Sequence, residues 1–271
     1  MSKARPLAAA IVVTLLSVPL AVMVLGALHP PGEPAPVGLE LLAIQPTLAA
    51  FERAFDLVPL GRQLLNSLTV VAIAVPLSVV CASLAGFAMS RMRGKAHTAA
   101  VGFTLITLTI PASALWVPRF ALFRELNVLD TYVPLIAPAL VGTSPLLILL
   151  AYWSARGLPR DLIDAARLAG LGPIKVWWQI VVPLTKRTLL AIAALSFVAH
   201  WGNLIEPLLY LYDEAKATLP LGLSSLRQLG PTDAPVLLAG AVVATVPPAL
   251  AFALAQRAVL DNTRRAGWVR R

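Results

Sequence analysis

Three residues near the end of one apolar stretch have the chemistry of a small-solute site. In the segment HWGNLIEPLLY, Trp201, Asn203 and Glu206 interrupt an otherwise membrane-like run. Polar and ionisable groups are costly in a hydrocarbon core and usually face a cavity or a partner. An indole is a flat apolar platform, and a carboxamide and a carboxylate beside it supply hydrogen bonds. Trp201 would stack on the face of a solute while Asn203 and Glu206 bind its hydroxyls. A carboxylate there disfavours anions in a low-dielectric cavity. A structural reading stays open: Trp201 packs against a neighbouring subunit, Glu206 sits near the external interface and Pro207 kinks the helix.

Other chemistries lack their residues. His29, His97 and His200 are far apart and none has an i, i+4 partner, so no metal site is expected. Cys81 is the one cysteine, which excludes an intrachain disulfide. The RGKA segment has neither the upstream glycine nor the hydroxyl residue of a phosphate-binding loop, so this chain should not hydrolyse a nucleotide. The GTSP segment around Ser144 is a lone weak motif for a nucleophile; no catalytic residue is assigned and the chain is not expected to be an enzyme. A proton-coupled secondary transporter would need embedded titratable groups and often an internal repeat. His200 and Glu206 are its only candidates, and the spans show no convincing self-similarity.

A second group of residues sits in a charged stretch, DLIDAARLAGLGPIKVWWQIVVP, residues 161–183. Pro159 suits a first helical turn. Leu158, Leu162, Ala165, Ala166 and Ala169 then recur at three- and four-residue steps, giving a shallow face of small side chains. Gly170 falls where a helix-ending glycine is expected. Leu171 and Gly172 make the turn, and Pro173 opens a second helix with Ile174, Trp177, Trp178 and Val181 as its apolar stripe. Pro183 marks the start of the next span. The product is a helix-turn-helix too charged to cross a membrane. It is either an interfacial hairpin, with Asp164 paired to Arg160 and Arg167, or a surface open to close approach by another protein.

The elements that position these groups are membrane helices. Hydrophobic residues make up 58% of the 271 positions, charged residues 13%, and mean hydropathy is +0.81. Apolar windows of about 20 residues, enough to cross a core about 30 Å thick, fall near 7–28, 66–90, 98–118, 132–153, 184–211 and 234–257. The expected fold is therefore an all-α integral membrane protein with six transmembrane helices. The first window lacks a convincing cleavage site and reads as a retained anchor. The segments 1–6, 91–97, 154–187 and 257–271 carry 16 of the 22 basic residues and three of the 13 acidic ones. By the positive-inside rule they are cytoplasmic, as are both termini, while 29–65 and 212–233 lie outside. The net charge of +9 then needs lipid phosphates and no nucleic acid. Residues 29–65 begin with the extended HPPGEPAP and end in a helical stretch with Leu48, Phe51 and Phe55 on one side, expected along the outer surface. Three regions follow: an anchor helix and external segment at 1–65, a transmembrane core at 66–257, and a basic cytoplasmic tail at 258–271.

The spacing of Asp164-Ala165-Ala166, three residues, Gly170, nine residues, Ile180, one residue, Val182-Pro183 resembles the signature "EAA, three residues, G, nine residues, I-x-L-P" of ABC importer permeases. These are the inner-membrane components of binding-protein-dependent transport systems. Asp164 stands for Glu and Val182 for Leu. The resemblance implies a cytoplasmic coupling hairpin between spans 4 and 5, with Asp164, Ala165, Ala166, Gly170, Gly172 and Pro183 docking an ATPase subunit. IQPTLAAFERAF leading to Asn66-Ser67-Leu68, AGFAMSRMRGK, TIPASALWVPRFALFRELNVLDTYVPLIAP and LAGAVVATVPPALAFALAQR are similar to carbohydrate-type permeases such as the smaller maltose-system subunit. The likeness runs over 45–271. The tail DNTRRAGWVRR is more cationic than the usual ending. In the family's W-N-[DE]-F-x-x-P-L, Trp201, Pro207 and Leu208 match, whereas Gly202, Asn203 and Glu206 depart. What the resemblance implies is a heterodimer with a second permease subunit, two ATPase subunits that hydrolyse ATP, an external solute-binding protein, no cofactor bound by this chain, and a substrate path through Trp201, Asn203 and Glu206. A non-sugar solute is the alternative within the family.

Overall fold

The computed structural model describes residues 4–32, 34, 38, 46–140, 144–228, 230 and 233–266. Its regular elements, among the described residues, are all helical. In chain order they are α1 (Ala4–Ala27), α2 (Ala49–Leu57), α3 (Leu60–Arg91), α4 (Gly94–Leu108), α5 (Trp116–Glu125), α6 (Val133–Leu140), α7 (Pro145–Arg156), α8 (Arg160–Leu168), α9 (Pro173–Val176), α10 (Val182–Trp201), α11 (Ile205–Tyr210), α12 (Leu219–Leu226) and α13 (Ala234–Ala266). Among the described residues four helical stretches are long and apolar enough to cross a bilayer: 60–91, 133–156, 173–201 and 234–253. A bent pair, 94–108 with 112–125, makes a fifth if it counts as one span, and Val12–Ala27 is a shorter apolar helix.

Two expected spans are built differently. The window 98–118 is not straight: its two halves meet at 94°. Pro111 has no N–H to continue the ladder and pushes the residue before it out of the helical region. Thr107 and Thr109 already donate their hydroxyls to the carbonyls of Thr104 and Ile106, at 2.9 and 2.7 Å. The window 184–211 is interrupted at Gly202, after which α11 starts afresh. At its other end the helix reaches back to Pro173 through a single π turn, Trp177–Val181, where the N–H of Val182 bonds the carbonyl of Trp177. Pro183 explains the turn: one missing donor shifts the ladder by a residue instead of ending it.

The chain forms two compact units, 1–66 with 217–249 and 67–216 with 250–271. Within the first unit, a side chain at Gly26 would meet Leu238, and Asn66 donates to the carbonyl of Ala217 at 2.9 Å. Helix α2 buries Ala50 and Ala54 and leaves Phe55 exposed, as is Leu48 just before it, because its small side chains allow the closest approach.

Further close packing lies within the second unit. Helices α3 and α7 touch backbone to backbone at Gly86, where a Cβ would lie 2.5 Å from the amide nitrogen of Tyr152. Small residues permit such contact between apolar helices, where dispersion replaces the hydrophobic drive. Next to it Ala82, Leu147, Ala151 and Ile192 join α3, α7 and α10. His97 of α4 pairs with the Tyr152 hydroxyl at 2.8 Å, which places this histidine in a helix contact.

Candidate functional site

The hairpin of α8 and α9 is anchored from beneath. Ile163, Ala166, Val176, Trp177 and Val181 are buried together with Phe87 of α3 and Ala155 of α7. The Trp177 indole donates to the Ser83 hydroxyl at 3.2 Å, and Arg91 donates to the Ala155 carbonyl at 2.7 Å. The turn is a Schellman closure: Leu171 N–H bonds the carbonyl of Ala166, Gly170 N–H bonds that of Arg167, and Gly170 has φ +83°. A Cβ at Gly170 would have open space, so its glycine serves the backbone angle and not a contact within the chain.

The outward face carries most of the residues expected there. Asp164, Ala165, Gly170, Gly172 and Pro183 are exposed, and Leu168 beside them is 91% exposed. Asp164 makes no ion pair among the described residues, so the pairing with Arg160 and Arg167 is absent. Gly172 has an ordinary extended conformation with open space around it, so nothing within this chain requires a glycine there. Ala166 departs from the expectation: it is turned inward, 8% exposed, because positions 163 and 166 form the face that meets α3 and α7. In the second helix Trp177 and Val181 are inside while Ile174 and Trp178 stay exposed.

The second group of expected residues separates. Trp201 is 7% exposed and stacks on Phe197, its neighbour one turn back, with ring centres 5.6 Å apart and planes at 9°. It lies on the packed face of α10 and is not among the walls of the adjacent cavity. Asn203 and Glu206 do meet. Asn203 donates to the Glu206 carboxylate at 2.7 Å, and its own oxygen accepts the Glu206 N–H at 3.2 Å. This pairing starts α11 after the break at Gly202 as a helix cap does.

The structure adds a residue with no part in the sequence expectation: Arg119 of α5 donates to the other oxygen of Glu206 at 3.0 Å, and both side chains are 17% exposed. The pair neutralises Glu206, so the repulsion of anions expected from an isolated carboxylate does not apply. The available sequence signal was a lone arginine in the apolar WVPRF segment, since a cation among apolar residues needs a distant counter-charge. These three residues and Trp116, Ser144 and His200 are among the walls of a cavity of about 460 Å³. Next to it lies a more apolar cavity of about 230 Å³ that reaches Ser78 and Ser196. No cluster of metal-binding groups occurs among the described residues.

A family model described as "Binding-protein-dependent transport system inner membrane component" matches residues 74–265. The chain belongs to this family. It is an inner-membrane permease component of a transport system, not an enzyme. The chain is similar to the arabinooligosaccharides transport system permease protein AraQ of Bacillus subtilis (strain 168), 30% identical over 88% of this chain and 85% of that one. It is similar also to the sulfoquinovosyl glycerol transport system permease protein SmoH of Agrobacterium fabrum, 30% identical over 82% of this chain and 78% of that one. A crystal structure of a bacterial ABC transporter involved in the import of the acidic polysaccharide alginate shares the fold. It matches 95% of this chain and 98% of that chain with a TM-score of 0.74 at 18% identity.

Proposed function

We propose that this chain is one permease subunit of an ATP-driven importer for a sugar or sugar-like solute. It pairs with a second permease subunit, docks one of two ATPase subunits through the hairpin, and receives its solute from an external binding protein. It binds no cofactor; the ATPase subunits hydrolyse ATP. The relatives named for arabinooligosaccharides, sulfoquinovosyl glycerol and lactose support a sugar as solute. In this reading the chain spans the membrane six times with both termini in the cytoplasm. Helix α1 is the first span, and the bent pair formed by α4 with the 112–125 segment is the third.

The observation that carries coupling is the helix that leaves the hairpin. It runs from Pro173 to Trp201 with only a π turn inside it, 29 residues or about 44 Å. One end is turned toward the ATPase and the other, at Ala199 and His200, is a wall of both cavities. A hairpin bedded on Phe87, Ala155 and Trp177 moves with the helices beneath it. When ATP closes the ATPase pair, displacement of Asp164, Ala165, Gly170 and Gly172 is transmitted along a stiff rod to the solute path at Asn203 and Glu206. The exposed, unpaired Asp164 is free to meet a basic group of the ATPase.

The test is ATP hydrolysis by the purified four-subunit complex, measured with its binding protein and a sugar panel. Sugar-stimulated hydrolysis is expected in the native complex. In Gly170→Leu, which forces a branched side chain to φ +83°, stimulation and uptake should disappear although the subunit inserts. Stimulation by sn-glycerol 3-phosphate alone, the solute in the name of a 28% identical relative, would replace the sugar reading with that of a phosphorylated polyol. Normal coupling in Gly170→Leu would remove the hairpin from the mechanism.

A further inference from the structure

We propose that Trp116, Arg119 and His200 complete, with Asn203 and Glu206, a binding site for a neutral, hydroxyl-rich solute on this subunit, and that His200 is its specificity-determining acceptor. The assignment rests on the sugar-import reading and adds the residues and the charge class of the solute.

The first argument is electrostatic. Arg119 and Glu206 sum to zero, so among the described residues the cavity's walls hold no free Lys or Arg cation for an anionic solute and no free carboxylate for a cationic one. A partly desolvated ion pair is weak evidence for stability, because apolar residues of like volume often serve folding as well. Its value here lies in spare valences. The guanidinium has five N–H donors and the carboxylate about four acceptor sites. The bonds between Arg119, Asn203 and Glu206 use only some of them. Neighbouring hydroxyls of one ring, each donor and acceptor at once, match such a mixed array.

The second argument fixes the role of His200. Its Nδ1 lies 2.8 Å from the carbonyl oxygen of Ser196, which can only accept. Nδ1 therefore carries the proton, and in the neutral ring Nε2 is left as an acceptor. No described residue donates to it. The two cavities share Pro138, Ser144, Leu146, Ala199 and His200 as walls. Of these only Ser144 and His200 have polar side chains. A solute passing from the charged cavity to the apolar one meets an acceptor at His200 before reaching Ser78 and Ser196.

The third argument replaces the platform. Trp201 is packed away against Phe197, whereas Trp116, three residues before Arg119 in α5, is a wall of the charged cavity. Its indole N–H has no described acceptor. A ring with one apolar face and one free donor beside an ion pair suits the apolar face and hydroxyl edge of a sugar. The volume of about 460 Å³ is within the usual small-molecule range of about 300–1,000 Å³.

The complete transporter, reconstituted in vesicles with its partner permease, ATPase and binding protein, decides the matter. Uptake of labelled lactose and of an arabinose trisaccharide is measured, with sn-glycerol 3-phosphate as the anionic comparator. Native protein should carry a neutral sugar in preference to the phosphate. His200→Leu and Trp116→Leu should each raise KM about tenfold, the value of one lost hydrogen bond or ring contact of about 1.4 kcal/mol. His200→Gln, which keeps an acceptor near the place of Nε2, and Trp116→Phe should recover most of that loss. Co-purification of the ATPase with each variant reports assembly. Native KM in both Leu variants, with sugar uptake intact, would remove the site and leave the sugar reading standing. Equal losses in His200→Leu and His200→Gln would remove the acceptor role. Preference of the native transporter for the phosphate would overturn the solute class together with the sugar reading.

Discussion

Asp130 shows how a single residue ties distant segments together. It adopts φ +57°, a conformation that aspartate tolerates better than most side chains. Its Oδ1 accepts the N–H groups of Tyr212 and Asp213 at 3.0 Å each, and its Oδ2 accepts the Lys216 ammonium at 2.7 Å. The Lys216 ammonium, then the two amides, hold the carboxyl at about 2, well below the ordinary range, and the same partner raises Lys216. The sign follows from linkage. A depressed carboxyl contributes fully above its unfolded value of about 3.9 and loses its contribution as pH falls toward 2. A raised lysine contributes below about 10.4 and loses its contribution only above that. The latch should therefore be insensitive to pH between 5 and 9. Hydrogen exchange at the Tyr212 and Asp213 amides, corrected for intrinsic rates, should show constant protection over that window. Asp130→Asn, which tolerates the same φ but drops the ion pair, should lower it. Loss of protection in the native chain between pH 5 and 6 would show that another group controls the latch.

Among the elements, the α3–α7 crossing has the least room for change. A methyl at Gly86 would press on the backbone of Ala151 and Tyr152, neither of which can rotate aside as a side chain could. Gly86→Ala should cost about 1–3 kcal/mol, the range for overpacking a tight contact. It should lower the thermal midpoint in detergent and the amount recovered from membranes. An unchanged midpoint would mean that the crossing relaxes freely. The bed of the hairpin lies beside this crossing, since Phe87 of α3 and Ala155 of α7 both belong to it. A change at Gly86 should thus also reach coupling, unlike a change on the exposed face at Leu168.

For the whole molecule the open quantity is orientation. The 16-to-6 split of basic residues predicts that the hairpin is cytoplasmic and that 212–233 is external. The one natural cysteine makes the test direct: in a Cys81→Ser background, Leu168→Cys and Glu214→Cys each place a single thiol at an exposed position. An impermeant maleimide should label Glu214→Cys in intact cells and Leu168→Cys only after lysis. Labelling of Leu168→Cys before lysis would put the hairpin on the wrong side for any ATPase.

The sequence alone determined what depends on near neighbours and composition. Apolar windows specify membrane helices because every backbone polar group must be satisfied within the segment. Pro173 and Gly170 mark the hairpin because a missing donor and a positive φ are properties of single residues. The spacing from Asp164 to Pro183 carried the family, and Asn203 and Glu206 were legible as polar groups out of place. Tertiary structure decided everything that depends on which side of a helix meets which neighbour. Trp201 and Trp116 are both aromatic residues in apolar runs, yet one faces Phe197 and the other a cavity. Ala165 and Ala166 differ only in 100° of helix rotation, and one is exposed while the other is buried. Arg119 and Glu206 are 87 residues apart and come together only because a 94° bend before α5 and a break at Gly202 bring two helix ends to one place. Local rules determine the helices, whereas the charge state of the cavity is set by long-range packing.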